Sequence, residues 1–294
     1  MVVDPQVEYQ GLTKSAAGSP ATSPAPLPPY EWLMPLAPWA CTATLAEVLT
    51  SLATQTWPAH CLVVSVDGLL PERLHQLLLA SGIPLRILEA PEWEGTGAVL
   101  ARGLLACRSR WVLRADADDI SDPRRAELQL GHLLQHPHLA VLGTQLGERG
   151  AHGPSVVVRR VPLSSAAIRR LICWRNPFNH PTVALSREAV LAAGNYCACP
   201  AFEDWDLWLR LAAAGASCAN LDQALVTAAV GKAHLARRHG LVYLRREARF
   251  LLRCAREGLL PWPQVMVLLL LRLPLRLLPA SVLAALMACL RSPR

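Results

Sequence analysis

The chain has 294 residues, of which 52% are hydrophobic and 17% charged, enough apolar material for one large α/β domain with accessory segments. The formal net charge of +7 is unevenly spread: residues 232–294 hold 12 Lys and Arg against Glu247 and Glu257, leaving 17 basic and 20 acidic residues upstream. With 5% aromatic residues, no zinc-finger spacing and no RNP-like motif, nucleic acid is not expected as a partner; a near-neutral body with a basic, leucine-rich tail points to an anionic surface.

Nine cysteines occur, an odd number without a CxxC pair, and Cys197-Ala-Cys199 is a poor match to a zinc site. Reduced thiols in a cytosolic compartment are the expectation. Residues 1–29 are rich in Pro, Ser, Ala and Thr, lack the basic start and apolar run of a signal peptide, and are expected to form a flexible lead-in.

From residue 30 to 231 the pattern alternates. Strands are expected at 33–37, 61–66, 85–89, 111–115 and 139–143, with helices at 44–54, 71–80 and 96–107 between them. Ser121 and Asp122 with Pro123 offer the start of a helix reaching Gln135. An irregular stretch from 143 to 162 follows. Then come a helix at 166–173, a loop at 176–181, a strand at 182–185, a helix capped by Ser186 and closed by Gly194, and a helix at 203–214 ended by Gly215. Short connections between alternating strands and helices imply a mostly parallel sheet with helices on both faces.

Ligands of such sheets bind beyond the carboxyl ends of the strands. Asp67 directly follows the 61–66 strand, and Asp116, Asp118 and Asp119 directly follow 111–115. Three carboxylates within four residues repel one another unless a cation lies between them, and an all-oxygen set suits Mg2+ or Mn2+. Taken alone, the same triplet is equally a solvated acidic turn. Likewise Glu203 and Asp204 open an apolar helix, where acids serve as caps without any chemistry; on its other turns Asp206 and Arg210 stand at i,i+4 spacing. Gly95 and Gly97 are positions where backbone can approach a ligand closely.

Five blocks, at 49–58, 61–68, 114–124 with Gln129, 176–183 and 203–210, resemble the family 2 glycosyltransferases in residue type, order and spacing. Within that family the chain resembles the branch that builds bacterial capsular and exopolysaccharides, the amylovoran-type enzymes. The resemblance spans roughly Leu33 to Ala229. It implies a GT-A fold, a nucleotide-sugar donor (UDP-linked most often), a divalent metal and inverting transfer to a glycan or lipid-linked acceptor. By position, Asp67 would bind the nucleotide base, Asp116 and Asp118 the metal, and Asp119 the donor sugar. Glu203 and Asp204 would form the acceptor-side catalytic pair with Asp204 the base, and His180 would lie in the acceptor or diphosphate region. The family's usual Tyr-Asn pair after the first strand is replaced here by Trp39 and Ala40, which puts nucleotide preference in question.

In the 232–294 segment Arg272, Pro274, Arg276 and Pro279 interrupt any clean apolar span, so two short interfacial helices are expected, with arginines reaching lipid headgroups. Packing on the enzyme's own core is the alternative. A run of arginines from Arg237 to Arg256 would add attraction to an anionic membrane, placing the chain peripherally on the inner face of the plasma membrane. The rival readings are a membrane-docked subunit that kept the fold and lost turnover, and a nucleotidyltransferase. The latter normally needs a Gly- and Lys/Arg-rich loop after its first strand, which residues 38–45 do not supply.

Overall fold

The computed structural model describes residues 26–150, 156–230 and 240–277. Most of the expected lead-in, residues 278–294, and Arg237 and Arg238 lie outside these. The first half alternates as the sequence predicts: β1 (Tyr30–Leu36), α1 (Thr42–Ala53), β2 (Cys61–Val66), α2 (Glu72–Leu79), β3 (Leu85–Leu88), α3 (Thr96–Ala106) and β4 (Trp111–Arg114). β1 starts earlier than expected because Tyr30 and Trp32 are both buried, and the Tyr30 hydroxyl donates to the Trp57 carbonyl at 2.9 Å.

The next stretch departs from expectation. Asp119–Ser121 is a short strand, β5, and α4 (Arg125–Gln135) begins only after Pro123. The Asp122 carboxylate accepts the Arg124 N–H at 2.8 Å, so it closes a turn before the helix. β6 (Leu139–Gly150) runs on through residues expected to be irregular and pairs with β7 (Val156–Arg159). Then follow α5 (Ser165–Ile172), a 3-10 turn at His180–Thr182, β8 (Ala184–Ser186), α6 (Arg187–Ala192), α7 (Glu203–Ala213) and β9 (Ser217–Val230). The ends of α6 are as predicted: Ser186 Oγ accepts the Ala189 N–H, and Gly194 takes φ +90°.

The sheet order is β3-β2-β1-β4-β8-β6-β9-β5, with β7 beside β6. β3, β2, β1 and β4 are parallel, but β8 runs against both β4 and β6, and β5 runs against β9. The sheet is therefore mixed, not mostly parallel. A parallel neighbour needs a crossover element of its own, whereas β8 enters from the 3-10 turn in the opposite sense. Apolar side chains bury both faces: Trp32, Met34, Leu62 and Val64 meet α1, α2 and α4, while Leu33, Val63 and Val112 meet α3, α5 and α7. This explains why β2 reads as an unbroken apolar run.

Two further helices, α8 (Leu241–Arg256) and α9 (Trp262–Leu277), pack on each other. Phe250, Leu251, Cys254, Leu260, Val265 and Leu268 join the core face that holds α7. Arg272 does not reach outward as expected. It pairs with buried Glu247 at 2.6 Å and lies over the Trp205 ring at 5.0 Å, because a buried carboxylate requires a partner. α9 is one continuous helix through Pro274, and among the described residues no helix is long and apolar enough to cross a membrane.

Candidate functional site

Because β1, β2 and β4 are parallel neighbours, the loops at their carboxyl ends share one edge of the sheet. Trp39, Asp67 and the 116–119 turn therefore come together there. The Asp67 carboxylate accepts the backbone N–H groups of Glu94 at 2.8 Å and Gly95 at 3.1 Å, tying down the loop ahead of α3. Arg102, nearly two turns into that helix, braces the same loop by pairing with Glu94 and donating to the Val66 carbonyl at 2.5 Å. On the loop's outer side Trp93 meets Trp39 edge to face, ring centroids 6.2 Å apart, and both are largely exposed at 72% and 68%.

The 114–121 segment is set from beneath. Arg125 is fully buried and donates to the Arg114 carbonyl at 2.8 Å and to Ser121 Oγ at 3.1 Å; its Nε donates to Gln129 Oε1 at 3.0 Å. Gln129 in turn donates to the carbonyls of Leu142 and Thr182. On this frame Asp116, Asp118 and Asp119 bring carboxylate oxygens within 4.8 Å of one another. Burial, then the charges of Asp116 and Asp118, push Asp119 up to about 8. Buried Arg114 holds Asp116 at 2.7 Å, while its Nε and Nη1 have no hydrogen-bond partner.

The second acidic group opens α7. Asp204 Oδ2 accepts from Asn176 Nδ2 at 2.5 Å, and Oδ1 accepts the Trp205 N–H at 2.6 Å. His180 Nδ1 lies 3.9 Å from Asp204 Oδ2, and its Nε2 lies 3.0 Å from the Tyr196 hydroxyl. Glu203 Oε2 is buried without a hydrogen bond; burial and then Asp204 push this carboxyl up to about 7. Asp206 is different in kind. It is wholly buried and paired with Arg210 at 2.7 Å, the predicted i,i+4 pair, and also with Arg253 of α8. It anchors the helix.

The two acidic groups are within electrostatic reach of shared neighbours. Arg114 influences Glu203, Tyr196 and His180 electrostatically, and Asp116 influences Glu203 and Tyr196. All eight residues singled out from the sequence thus sit at the carboxyl edge or directly beside it. Trp93, Arg114, Asn176 and Tyr196 are also part of the arrangement, although no role was expected of them. Trp93 belongs to no motif, and the hydrogen bonds from Glu94 and Gly95 to Asp67 bring its loop to the site.

The family model for glycosyl transferase family 2 matches residues 40–193. The chain belongs to that family. An uncharacterized glycosyltransferase of Haemophilus influenzae is 36% identical over 242 residues, 81% of this chain and 90% of that one. The amylovoran biosynthesis glycosyltransferase AmsE of Erwinia amylovora is 33% identical over 207 residues, 70% of this glycosyltransferase and 77% of AmsE. The UDP-Gal:alpha-D-GlcNAc-diphosphoundecaprenol beta-1,3-galactosyltransferase of Escherichia coli is 28% identical, covering 81% and 87%. Among solved structures, S. aureus TarS 1-349 superposes with a TM-score of 0.58 at 16% identity, covering 77% of this chain and 65% of that one. Its complex with UDP-GlcNAc gives the same TM-score of 0.58. At such identity the likeness speaks to the fold, a GT-A-like α/β architecture with a curled mixed sheet flanked by helices.

Proposed function

We propose that this family 2 glycosyltransferase moves a sugar from a UDP-linked donor to a lipid-linked glycan, with inversion, at the cytoplasmic face of a membrane. The observation that carries the reading is that two acidic groups from distant chain segments, Asp116–Asp119 and Glu203–Asp204, come within electrostatic reach of each other and of Arg114. A degenerate subunit would have no need of the full acidic set. The names of the relatives support donor and acceptor class: TarS was solved with UDP-GlcNAc, and the Escherichia coli relative is named for a UDP-sugar donor and a diphosphoundecaprenol acceptor.

In this reading Asp67 receives the nucleotide base, with Trp39 and Trp93 at its flank, and Asp119 orients the donor sugar. Asp116 and Asp118 would hold Mg2+ or Mn2+. Their fit rests on three mutually close carboxylates of which one, Asp119, is kept from ionising at its ordinary pH by burial and then by the charges of Asp116 and Asp118. The bound cation supplies charge neutralisation to the departing diphosphate. Asp204 takes the proton of the acceptor hydroxyl as its oxygen bonds to the anomeric carbon, and the bond from that carbon to the diphosphate oxygen breaks. Asn176 keeps the Asp204 carboxylate aimed, and Glu203 shares the acceptor side. The exposed apolar face of α9 docks on anionic lipid, so enzyme and acceptor meet on one surface.

A thermal-shift screen of UDP-sugars with and without Mn2+ tests this. One donor should stabilise the protein only with metal, Asp118→Ala should abolish that shift, and Asp204→Asn should keep the shift while losing transfer. Transfer surviving both substitutions would overturn the reading.

A further inference from the structure

His180 carries a motif position whose role the reaction as described leaves open. It is largely buried and lies between a carboxylate and a phenol: Nδ1 faces Asp204 Oδ2 at 3.9 Å, and Nε2 faces the Tyr196 hydroxyl at 3.0 Å. Tyr196 itself, ring centroids 5.6 Å apart, and Trp208, nearly perpendicular at 5.9 Å, pack against the ring. The ring therefore has two polar neighbours. Burial, reinforced by Arg114, holds its pKa well below the ordinary value, so the imidazole is neutral and carries a single ring proton.

The neighbours decide where that proton resides. A carboxylate can only accept, so the nitrogen facing it is better protonated; the other nitrogen then offers a lone pair to the Tyr196 O–H. Tyr196 is itself buried and its pKa is raised, so it remains a donor.

We propose that Tyr196 and His180 are positioning residues for the Asp204 base: the Tyr196 hydroxyl donates to His180 Nε2 and so fixes the Nδ1–H tautomer, whose N–H points at the Asp204 carboxylate. This rests on the assignment of Asp204 as base. Asp204 is also held by Asn176 from the loop after α5 and has Glu203 beside it on its own helix. The imidazole N–H is a fixed dipole directed at this carboxylate. Losing the Tyr196 hydroxyl lets the ring turn over its tautomer and present a lone pair to the carboxylate, which then loses that donor.

Two measurements test the pair. With 15N-labelled histidine, the signal missing from His180→Asn identifies His180 among the nine histidines. The parent should show the Nδ1–H tautomer, and Tyr196→Phe a mixture or the Nε2–H form. The second measurement is UDP release from UDP-galactose and UDP-N-acetylglucosamine with Mn2+, water serving as acceptor. In Tyr196→Phe and His180→Ala the rate should fall about threefold. His180→Asn, whose amide N–H reproduces Nδ1–H, should restore the rate and be indifferent to Tyr196→Phe. An Nε2–H tautomer in the parent, or a parent-like rate in His180→Ala, overturns the proposal. If Tyr196→Phe does not fold, the contrast between His180→Ala and His180→Asn decides. Asp204→Asn keeping full UDP release would instead remove the base assignment beneath it.

Discussion

Gly97 in the first turn of α3 lies so close to Cys197 that a Cβ would sit 2.1 Å from the Cys197 carbonyl oxygen and 3.2 Å from Glu203 Cβ. The helix behind the Asp67-bound loop thus meets, backbone to backbone, the segment carrying Tyr196 and Glu203. The sequence suggests that this glycine admits a ligand; in the structure its close neighbour is the protein itself. Gly97→Ala must force the helix behind the Asp67-bound loop away from the Glu203 segment. It should cost about 1–3 kcal/mol of stability, read as a lower urea midpoint, and lower kcat more than UDP affinity. An unchanged midpoint would show that the contact yields freely.

The Glu203 carboxyl is held at about 7 in the fold against an ordinary 4.5, chiefly by burial and then by Asp204. Below both values the group is protonated in either state and contributes nothing. As pH rises from 4.5 to 7 the unfolded chain releases the proton first, so stability falls through that window and stays lowered above it. Glu203→Gln removes the titration. The variant should be more stable than the parent at pH 8 by on the order of 2 kcal/mol, and the gain should vanish near pH 4. Urea unfolding at the two pH values checks the sign; equal gains at both would mean that Glu203 titrates normally.

The parallel half of the sheet was legible because β1, β2 and β4 are buried on both faces and their apolar runs are interrupted only by turns. In the second half only β8 and the start of β6 were; β5, β7 and β9 were not. β9 contains Ala, Asn, Asp and Gln at many positions and owes its strand form to pairing along β6, which no local pattern records. The same holds within the site. Asp67, Asp116–Asp119, His180 and Glu203–Asp204 stood out by position after strands or in motifs. Arg114 read as a strand residue and Tyr196 drew no reading, because Tyr196 gains its part from His180 and Arg114 from Tyr196 and Glu203, all distant in the chain.

Trp39 and Trp93 are the only two exposed tryptophans in ring contact with each other among the described residues, and Asp67 binds the backbone next to Trp93. Exposed indoles are readily stacked on by a base, at about 1–3 kcal/mol each. UDP should quench tryptophan fluorescence. Trp93→Ala and Trp39→Ala should each weaken UDP binding about tenfold and remove much of the quench, with melting temperature unchanged because neither ring is in the core. A titration in which both variants match the parent would move the base elsewhere.

α9 turns Val265 and Leu268 into the core and leaves Trp262, Met266 and Leu270 exposed, Leu270 at 72%. Spacings of four residues put these three on a single stripe, with Val267 and Leu271 beside it. Arg253 and Arg272 are occupied by Asp206 and Glu247, so the cations left facing outward on α8 are Arg245, Arg246, Arg249 and Arg256. Such a face should bind a lipid surface through apolar insertion aided by about 1 kcal/mol per arginine near anionic headgroups. The full chain should sediment with phosphatidylglycerol vesicles at low salt, less with phosphatidylcholine and less as salt rises. Leu270→Glu, at an exposed position, should cut capture at least about tenfold without lowering the melting temperature. Full chain left in the supernatant with anionic vesicles would sink the docking idea, and capture untouched by Leu270→Glu would remove α9 from it.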